Sequence, residues 1–389
     1  MKIYNKILAI SIVASILVGC NSESVTPIVP EIPIDPGQRY IHFDAEVSTR
    51  GKLIDGAVLE DNFMVLGYSY LGSWAGNSVM ASPNVFDSTP ETVVYNSTDK
   101  LYSYDRPQNW TGNTYSFFAY YPEGNADNNL VLFDDGNPKS GTPYITYELV
   151  SRSSSLGMID IMTASYKDTN VSSSSSVPLH FRHRLAAIDV VARNYHEEYT
   201  IPGTNVQTPV YIEIVDLVVS LVNLVNQKAT IYLDHTKASV YEKANGNNLN
   251  AYYRMVGILV NGAPMSSYLV KPNNAEYRDM QFITTSSGDN ASSMLVIPQT
   301  ESLTFGSSQE MRYKKKYDSN GDGVLDAYIT NDVNNTDTFS KSLSIVFDDE
   351  IKEGRRYYIE LTFTSGAVSI NVIAADEWSE FDRIDHEFE

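Results

Sequence analysis

The sequence predicts an all-β fold, and three observations lead to that prediction. Apolar and polar residues alternate along many segments, which is the pattern of strands with one buried face. Clusters of Asn, Asp, Gly and Ser interrupt these segments at short intervals, as turns do. Long stretches with helical periodicity are scarce. The sequence therefore favours a β-sandwich architecture over an α/β fold.

Individual strands can be placed from this alternation. The first predicted strand puts Ile41, Phe43, Ala45 and Val47 on one face. Because side chains alternate across a strand, these four residues form a single apolar stripe. Further strands are predicted at 63–70, 115–121 and 210–221, and a hairpin at 356–374 turns at Ser365-Gly366. Over 210–221 the alternation places Tyr211, Val215, Leu217, Val219 and Leu221 on one face.

The N-terminus has the layout of a secretory signal peptide. Lys2 and Lys6 precede an apolar run, 7–18, that is shorter than the about 20 residues of a membrane-spanning helix. The run ends in Leu-Val-Gly before Cys20, the only cysteine of the chain. We therefore predict a signal peptide over residues 1–19 and acylation of Cys20, as in bacterial lipoproteins. An ordinary signal peptide with a chance cysteine is the alternative.

Two low-complexity segments divide the rest of the chain. Proline recurs at every third position from Pro27 to Pro36, which matches the three-residue turn of polyproline II. Residues 20–39 are therefore predicted to hold the lipidated cysteine and a semi-rigid spacer, Ser22 to Gly37, of roughly 45 Å at ~3.1 Å per residue. Five serines precede Val177 and indicate a linker. We place an N-terminal β-sandwich at 40–176 and a C-terminal one at 177–389.

Composition restricts the classes of partner and of chemistry. The formal net charge is −20. Such an acidic protein repels phosphate backbones, so nucleic acid is not expected as a partner. Sequence motifs for nucleophilic, phosphate-binding or zinc-dependent catalysis do not occur in the sequence, and we expect no enzyme.

Several segments together resemble the fimbrillin-like family, the pilins and pilus-associated lipoproteins of type V pili. Besides the lipoprotein N-terminus and the Pro-rich spacer, the segments are Ile41 to Arg50, Asn109-Trp110 with Tyr115 to Pro122, Leu179 to Ala186, and Gly354 to Trp378. They occur in the order found in the family and extend over most of the mature chain. The resemblance implies two transthyretin-like β-sandwich domains and a role in pilus assembly or adhesion at the outer membrane. The partners it implies are other pilus subunits.

The resemblance also implies a route of assembly. In polymerising members an arginine-specific protease removes the lipidated N-terminus together with the first strand. The matching bond in this chain is Arg50-Gly51, and its cleavage would release the stripe of Ile41, Phe43, Ala45 and Val47. A strand from another subunit would then fill the groove by donor strand exchange, a form of β-augmentation.

Other interpretations of the same residues stay open. Arg50 could be a solvated residue after a permanent strand, and Arg39 is a second candidate for cleavage. Trp74, Trp110 and the many Tyr residues suggest an alternative, a non-polymerising surface lipoprotein that binds a glycan or a host protein. Their other expected location is the sandwich core.

One polar segment fits the ligand pattern of calcium loops. Residues 318–326 match D-x-N-x-D-G-x-x-D, and calcium prefers six to eight oxygen ligands. The predicted ligands are the side chains of Asp318, Asn320, Asp322 and Asp326 and the backbone carbonyl of Val324. The twelfth loop position is Ile329 instead of Glu, so water or Asp332 would have to complete the site. A polar hairpin turn explains the same residues without calcium.

Two histidines lie three positions apart on a predicted strand. Side chains at that separation point to opposite faces, so His180 and His183 do not favour a shared metal. We expect one exposed histidine and one that is packed or hydrogen-bonded.

Overall fold

The structure, a computed structural model, describes most of the chain after residue 39. The described residues are 40–47, 58–77, 83–87, 89–123, 130–132, 141–148, 160–170, 176–243, 249–256, 267–273, 281–282, 294–307, 310–331 and 336–374. They all lie in one compact unit, Arg39–Glu389. The predicted signal peptide and spacer lie outside the described residues.

The protein is all-β, as the sequence predicts. The described residues contain a single helix, α1 (Trp74–Asn77), which is four residues long. The strands, in chain order, are β1 (Phe43–Val47), β2 (Phe63–Tyr70), β3 (Glu91–Asn96), β4 (Leu101–Ser103), β5 (Thr114–Tyr121), β6 (Leu130–Leu132), β7 (Tyr144–Glu148), β8 (Met162–Asn170), β9 (Val177–His183), β10 (Ala186–Tyr195), β11 (Tyr199–Thr200), β12 (Gln207–Thr208), β13 (Tyr211–Leu224), β14 (Asn226–Tyr232), β15 (Val240–Lys243), β16 (Leu249–Val256), β17 (Tyr268–Val270), β18 (Gln281–Phe282), β19 (Met294–Val296), β20 (Leu303–Ser307), β21 (Met311–Tyr317), β22 (Ala327–Tyr328), β23 (Thr338–Lys341), β24 (Ser344–Phe347), β25 (Arg356–Thr364) and β26 (Val368–Ala374).

A seven-stranded sheet contains the first strands of the protein. Its order is β1-β9-β8-β5-β2-β3-β4. Strand β1 runs parallel to β9, whereas the other neighbours in this sheet are antiparallel. The sheet curls until its two end strands meet. The contact between them includes a hydrogen bond from the hydroxyl of Tyr102 in β4 to Ala45 O in β1. This closure encloses apolar side chains on the concave side of the sheet.

The remaining strands form four further sheets among the described residues. One has the order β18-β10-β25-β26, with β19 also paired to β10. A larger sheet has the order β22-β21-β13-β20-β24, with β16 and β17 paired to β13 and β23 paired to β21. The order β15-β14-β7-β6 defines a four-stranded sheet, and β11 pairs with β12. The predicted C-terminal hairpin is confirmed as the antiparallel pair β25 and β26.

Two apolar cores lie on opposite faces of the seven-stranded sheet. The inner core lies on the concave side and consists of Ile41, Phe43, Ala45, Leu59, Phe63, Val65, Val85, Phe86, Val93, Tyr115, Phe117, Ala119, Met162, Ala164, Val177, Leu179 and Phe181. The main core, which includes Leu66, Phe118, Val190 and Phe305, joins this sheet to the C-terminal strands. Strands β2 and β5 are buried on both faces because they supply alternate residues to the two cores.

Strand pairing crosses the predicted domain boundary at residue 176. Strand β9, which begins directly after the serine run, pairs with β1 and β8. Strand β7 from the N-terminal half pairs with β14 from the C-terminal half. The boundary therefore does not coincide with a break in hydrogen bonding, and the division into 40–176 and 177–389 stays a prediction.

The predicted single face of residues 210–221 is wrong in its first half. Ile212 and Ile214 are fully buried there, whereas Tyr211 and Val215 are half-buried. The register of β13 shifts between Ile214 and Asp216 against β21. Because such a bulge adds one residue to one strand, it moves the buried face to the residues of opposite parity. After the bulge Leu217, Val219 and Leu221 are buried as predicted.

Candidate functional site

Strand β1 fills the concave side of the seven-stranded sheet. Ile41, Phe43 and Ala45 are 0%, 3% and 2% exposed, and Val47 is half-buried and packs against the inner core. The outward residues His42 and Asp44 are exposed. The predicted apolar stripe is therefore buried. Full burial of a Phe or Ile side chain contributes about 1.5–3 kcal/mol, so Ile41 and Phe43 both stabilise the inner core.

The backbone of β1 is hydrogen-bonded along both edges. On one edge it pairs in parallel with β9, with Phe43 opposite Val177 and Val47 opposite Phe181. On the other edge Ile41 N donates to Gln108 O at 2.8 Å, and Leu59 N donates to Ala45 O at 3.2 Å. Strand β1 therefore occupies a groove between β9 and the segments around Leu59 and Gln108. We call this the β1 groove.

Two tyrosine hydroxyls complete the outer edge of the β1 groove. Tyr104 Oη donates to Ile41 O at 2.7 Å, and Tyr102 Oη lies 3.1 Å from Ala45 O and 2.7 Å from Leu59 O. Burial raises the pKa of Tyr104 to about 12 and also raises the pKa of Tyr102. Both hydroxyls are therefore protonated at neutral pH and available as hydrogen-bond donors to the strand.

An aromatic pocket receives Phe43. The rings of Phe63, Phe86, Tyr104 and Phe117 have centroids 5.4 to 6.5 Å from that of Phe43. Edge-to-face and tilted ring pairs at this distance add stabilisation beyond area burial. The position two residues later holds only Ala45, so the β1 groove accepts a large side chain followed by a small one.

Polar groups flank β1 on its solvent-facing side. Glu46 lies opposite His180 of β9, with 3.4 Å between Oε2 and Nδ1, and Ser176 Oγ donates to Asp44. The side chain of His180 is 55% exposed, whereas that of His183 is 10% exposed and pairs with Asp160. The prediction of one exposed and one packed histidine is confirmed.

The predicted processing residues lie outside the described residues. This applies to the lipidated Cys20, to Arg39 and to the bond between Arg50 and Gly51. The described chain ends at Val47 and resumes at Val58, which forms an antiparallel bridge with Glu46. Residues 48–57 therefore connect β1 to the segment that lies next to it in the β1 groove.

The predicted calcium loop is a connection between β21 and β22. The carboxylate of Asp318 accepts hydrogen bonds from three backbone N–H groups, of which Gly321 and Gly323 are each at 2.7 Å. These bonds, that of Gly323 foremost, lower the pKa of Asp318. Asp326 accepts from Ser319 N and Oγ, both at 3.0 Å. The loop thus has the hydrogen bonds of a polar hairpin turn.

Calcium binding by this loop stays a prediction. Asp322 Oδ1 accepts from Val324 N at 2.8 Å, and Asn320 Nδ2 donates to Asp322 Oδ2 at 3.1 Å. In the part of the chain that the structure describes, no three His, Cys, Asp or Glu side chains form a group that could hold a metal ion. Heat of binding in calorimetry, with calcium added to metal-stripped protein, is the direct test.

The two tryptophans proposed for glycan binding have different environments. Trp74 is 3% exposed, and its Nε1 donates to Asp234 Oδ2 at 3.1 Å. Trp110 is half-buried, and its ring packs against Tyr115 and Phe117. Trp74 therefore belongs to the core, as the alternative interpretation of the aromatics predicts. None of the described helices is long and apolar enough to cross a membrane.

Sequence reasoning missed the two tyrosines that bind the backbone of β1. Tyr102 and Tyr104 are separated by Ser103, so a period of two places them on one side of the chain. That signal was available, but it does not indicate which strand the hydroxyls contact. The contact depends on the curl of the seven-stranded sheet, which brings β4 to β1.

One solved structure supports this architecture, and two further neighbours are less similar. The structure is similar to that of a fimbrial protein from Bacteroides vulgatus, with a TM-score of 0.57 at 16% identity over 88% of this chain and 100% of that one. At this identity the likeness shows the fold alone. A candidate cell adhesion protein from Bacteroides ovatus has a TM-score of 0.45 at 12% identity over 89% of this chain and 99% of that one. A fimbrial assembly protein from Parabacteroides distasonis has a TM-score of 0.35 at 9% identity over 87% of this chain and 100% of that one.

Sequence comparison assigns the family. No curated protein sequence matches the chain significantly. A family model described as fimbrillin-like matches residues 75–376, which is more than half of the chain. The chain therefore belongs to the fimbrillin-like family of fimbrial and cell-adhesion proteins of the bacterial surface.

Proposed function

We propose that this protein is an assembling subunit of a surface fimbria that exchanges β1 for a strand of another subunit. The chain is exported as a lipoprotein acylated at Cys20, and the Pro-rich spacer lifts the folded part from the outer membrane. Cleavage at Arg50-Gly51 then separates β1 from the body. A strand from a neighbouring subunit enters the β1 groove, and the resulting polymer serves adhesion. In this proposal the protein has a structural role and no enzymatic one.

The observation that best supports the proposal is the way β1 is inserted. Its apolar side chains fill the inner core, while its backbone bonds to different segments on its two edges. Strand addition uses main-chain hydrogen bonds for affinity and alternate side-chain pockets for specificity. The β1 groove offers both, because Phe43 has an aromatic pocket and the carbonyls of Ile41 and Ala45 have bound donors.

The position of the candidate cleavage bond also supports release of β1. Arg50 follows the end of β1 by three residues, and Val58 is the next described residue. A cut at Arg50 would leave β1 attached to the body by non-covalent contacts alone. A cut at Arg39 would leave β1 on the body, still covalently joined to it through residues 48–57.

An empty groove would be unfavourable, which explains why a replacement strand is needed. Loss of β1 would expose the rings of Phe63, Phe86 and Phe117, which are 0% or 1% exposed in the filled state. Each large apolar side chain returned to water costs about 1.5–3 kcal/mol. A second subunit that supplies alternating apolar residues would recover this free energy, so exchange links processing to polymerisation.

The proposal can be tested by blocking each candidate bond in the natural host. Arg50→Ala should leave the subunit lipidated at Cys20 and prevent its incorporation into fimbriae. Arg39→Ala is the matched control, since that bond lies before β1, and its fimbriae should form as in the wild type. Surface fimbriae are measured by electron microscopy and by gels of sheared material. Normal fimbriae from the Arg50→Ala chain would contradict the proposal and favour a surface lipoprotein that keeps its own strand.

A further inference from the structure

The hydroxyl of Tyr104 takes the place of a missing backbone bond at one end of β1. Ile41 N donates to Gln108 O at 2.8 Å, as in an antiparallel pair. The return bond is made through the side chain, since Gln108 N donates to Tyr104 Oη at 3.2 Å and that hydroxyl donates to Ile41 O at 2.7 Å. The tyrosine thus joins the backbone of β1 to the opposite segment.

Tyr102 has the corresponding position near the other end of β1. Its hydroxyl lies within hydrogen-bond distance of Ala45 O and Leu59 O, at 3.1 and 2.7 Å. A hydroxyl carries one proton, so the two carbonyls share this donor. Leu59 N also donates to Ala45 O, at 3.2 Å. Ala45 O is therefore bound both by a backbone N–H group and by a tyrosine hydroxyl.

The two acceptors lie on the same edge of the strand. Successive carbonyls of a strand point to opposite edges, so those of Ile41 and Ala45 face one side, about 13 Å apart at ~3.3 Å per residue. The carbonyl of His42 faces the other side, where it accepts from Val177 N at 2.7 Å. Two hydroxyls at this spacing exclude a slip of one residue, because it would turn both carbonyls away. A slip of two residues would return carbonyls to this edge, but it would move Phe43 out of its aromatic pocket.

We propose that Tyr102 and Tyr104 form a register clamp that binds the main chain of whichever strand occupies the β1 groove. This inference rests on the proposed strand exchange and names the residues that position the incoming strand. The clamped atoms are backbone carbonyls, which every strand possesses, so the clamp acts independently of sequence. Preference for particular side chains lies instead in the aromatic pocket around Phe43.

The clamp also disfavours an empty groove. Without a strand, the Tyr104 hydroxyl would still accept from Gln108 N but would lose its own acceptor. Water would replace that carbonyl in the open groove, so the net stabilisation of one hydrogen bond is lost together with the strand. Tyr102 would keep Leu59 O, so its loss of partners is smaller. Loss of the strand from the β1 groove therefore affects the hydrogen bonding of Tyr104 more than that of Tyr102.

Release of β1 from a cut chain is the experiment that tests the clamp. The mature chain from Cys20 is produced without lipid, with a specific protease site inserted between Arg50 and Gly51. Cys20 is the only cysteine, so a fluorophore attached there labels the fragment that carries β1. After cleavage, excess unlabelled peptide of residues 39–50 is added, and fluorescence anisotropy follows release of the labelled fragment.

Tyr104→Phe should speed release by about 3- to 10-fold, the effect of one hydrogen bond. Tyr102→Phe should speed it by a smaller factor, because Ala45 O shares that donor with Leu59 O. Phenylalanine keeps the ring and removes only the hydroxyl. Tyr115→Phe is the matched control, because Tyr115 belongs to the same inner core but its hydroxyl bonds to Thr111 rather than to β1. This variant should release the fragment at the wild-type rate.

A double-mutant cycle separates main-chain binding from packing. The Tyr104 and Phe43 rings are in contact, with centroids 5.7 Å apart. A fragment with Phe43→Leu should leave faster, yet Tyr104→Phe should speed its release by the same factor as in the unchanged fragment. Unequal factors would show that Tyr104 acts through the side chain, and the clamp would be wrong.

The remaining outcomes distinguish the clamp from the exchange on which it rests. If the labelled fragment leaves only when the body unfolds, for every variant, strand exchange fails and the clamp fails with it. If the fragment is exchanged but the Tyr102 and Tyr104 variants release it like Tyr115→Phe, exchange stands and the clamp alone is overturned.

Discussion

Gly67 allows the segment 83–87 to lie across the middle of β2. Asn84 N and Val85 N both donate to Gly67 O, at 3.0 and 3.2 Å. A Cβ at position 67 would lie 2.7 Å from Val85 Cβ and 2.9 Å from Phe86 Cε2. Because Phe86 forms part of the pocket around Phe43, this close approach of the backbone helps to shape the β1 groove.

Gly67→Ala should therefore lower the free energy of unfolding. Overpacking of this kind costs about 1–3 kcal/mol, because Val85 and Phe86 must move. Urea unfolding followed by tyrosine fluorescence measures the change. Gly112→Ala is the control, since nothing lies within 4 Å of the added Cβ, and it should change stability by less than about 0.5 kcal/mol. Equal effects from the two substitutions would contradict the packing described here.

His235 makes the stability depend on pH. Burial, with the nearby charges of Arg184 and Arg182, lowers the pKa of His235 to about 3, and its Nε2 donates to Thr163 O at 3.0 Å. In the unfolded chain the ordinary value is about 6.5. Below that pH His235 binds a proton in the unfolded state but stays neutral in the folded state. Stability is therefore lost as the pH falls from about 6.5 towards 3.

The expected loss between pH 7 and pH 5 is about 2 kcal/mol, at about 1.4 kcal/mol per pH unit below 6.5. His235→Gln keeps a donor for Thr163 and has no charge to gain, so its loss over this range should be smaller by that amount. Urea unfolding at the two pH values gives the comparison. His180→Gln, at a side chain that is 55% exposed, is the surface control for the same substitution. An unchanged pH profile for His235→Gln would contradict this assignment.

At the scale of elements, β1 combines a local pattern with a long-range partner. Alternation in residues 41–47 predicts which side chains are buried, because the face of a residue is a local property of the strand. The parallel pairing with β9 could not be predicted, since it joins segments far apart in sequence and depends on the curl of the whole sheet. The same limit applies to Tyr102 and Tyr104, whose acceptors lie across that curl.

Phe43→Ala tests the contribution of β1 to the intact fold. Truncation of a buried Phe costs about 3–5 kcal/mol, and here it would empty the pocket between Phe63, Phe86 and Phe117. The free energy of unfolding in urea should fall by that amount. His42→Ala, on the exposed side of the same strand, should have an effect below about 0.5 kcal/mol. A small effect of Phe43→Ala would mean that β1 contributes little to the inner core.

The bulge in β13 shows why one predicted face was wrong. Apolar residues occur at both parities between Tyr211 and Leu221, so alternation alone does not show where the buried face changes. The register shift after Ile214 is set by pairing with β21, and Asp216 there accepts from Arg312 at 2.9 Å. Tertiary pairing, rather than local propensity, determines which residues of this strand are buried.

At the scale of the whole molecule, the sequence predicted the all-β class and the family. One family motif, Trp110 with Tyr115 to Pro122, lies in and around β5, the central strand of the seven-stranded sheet. Another, Leu179 to Ala186, includes most of β9, the strand next to β1. The organisation of the sheets could not be predicted from the sequence, because strands before residue 176 pair with strands after it. Asp234, after β14, also connects distant segments, since it binds Trp74 Nε1 and Lys167 Nζ at 3.1 and 2.8 Å.

If β1 leaves its groove during assembly, the assembled subunit has a new N-terminus that can be identified. Fimbriae sheared from the cell surface are dissociated, and the subunit is examined by N-terminal sequencing and by intact mass. The expected chain begins at Gly51 and carries no lipid. A subunit in the same fimbriae that still begins at acylated Cys20 and retains residues 41–47 would contradict it.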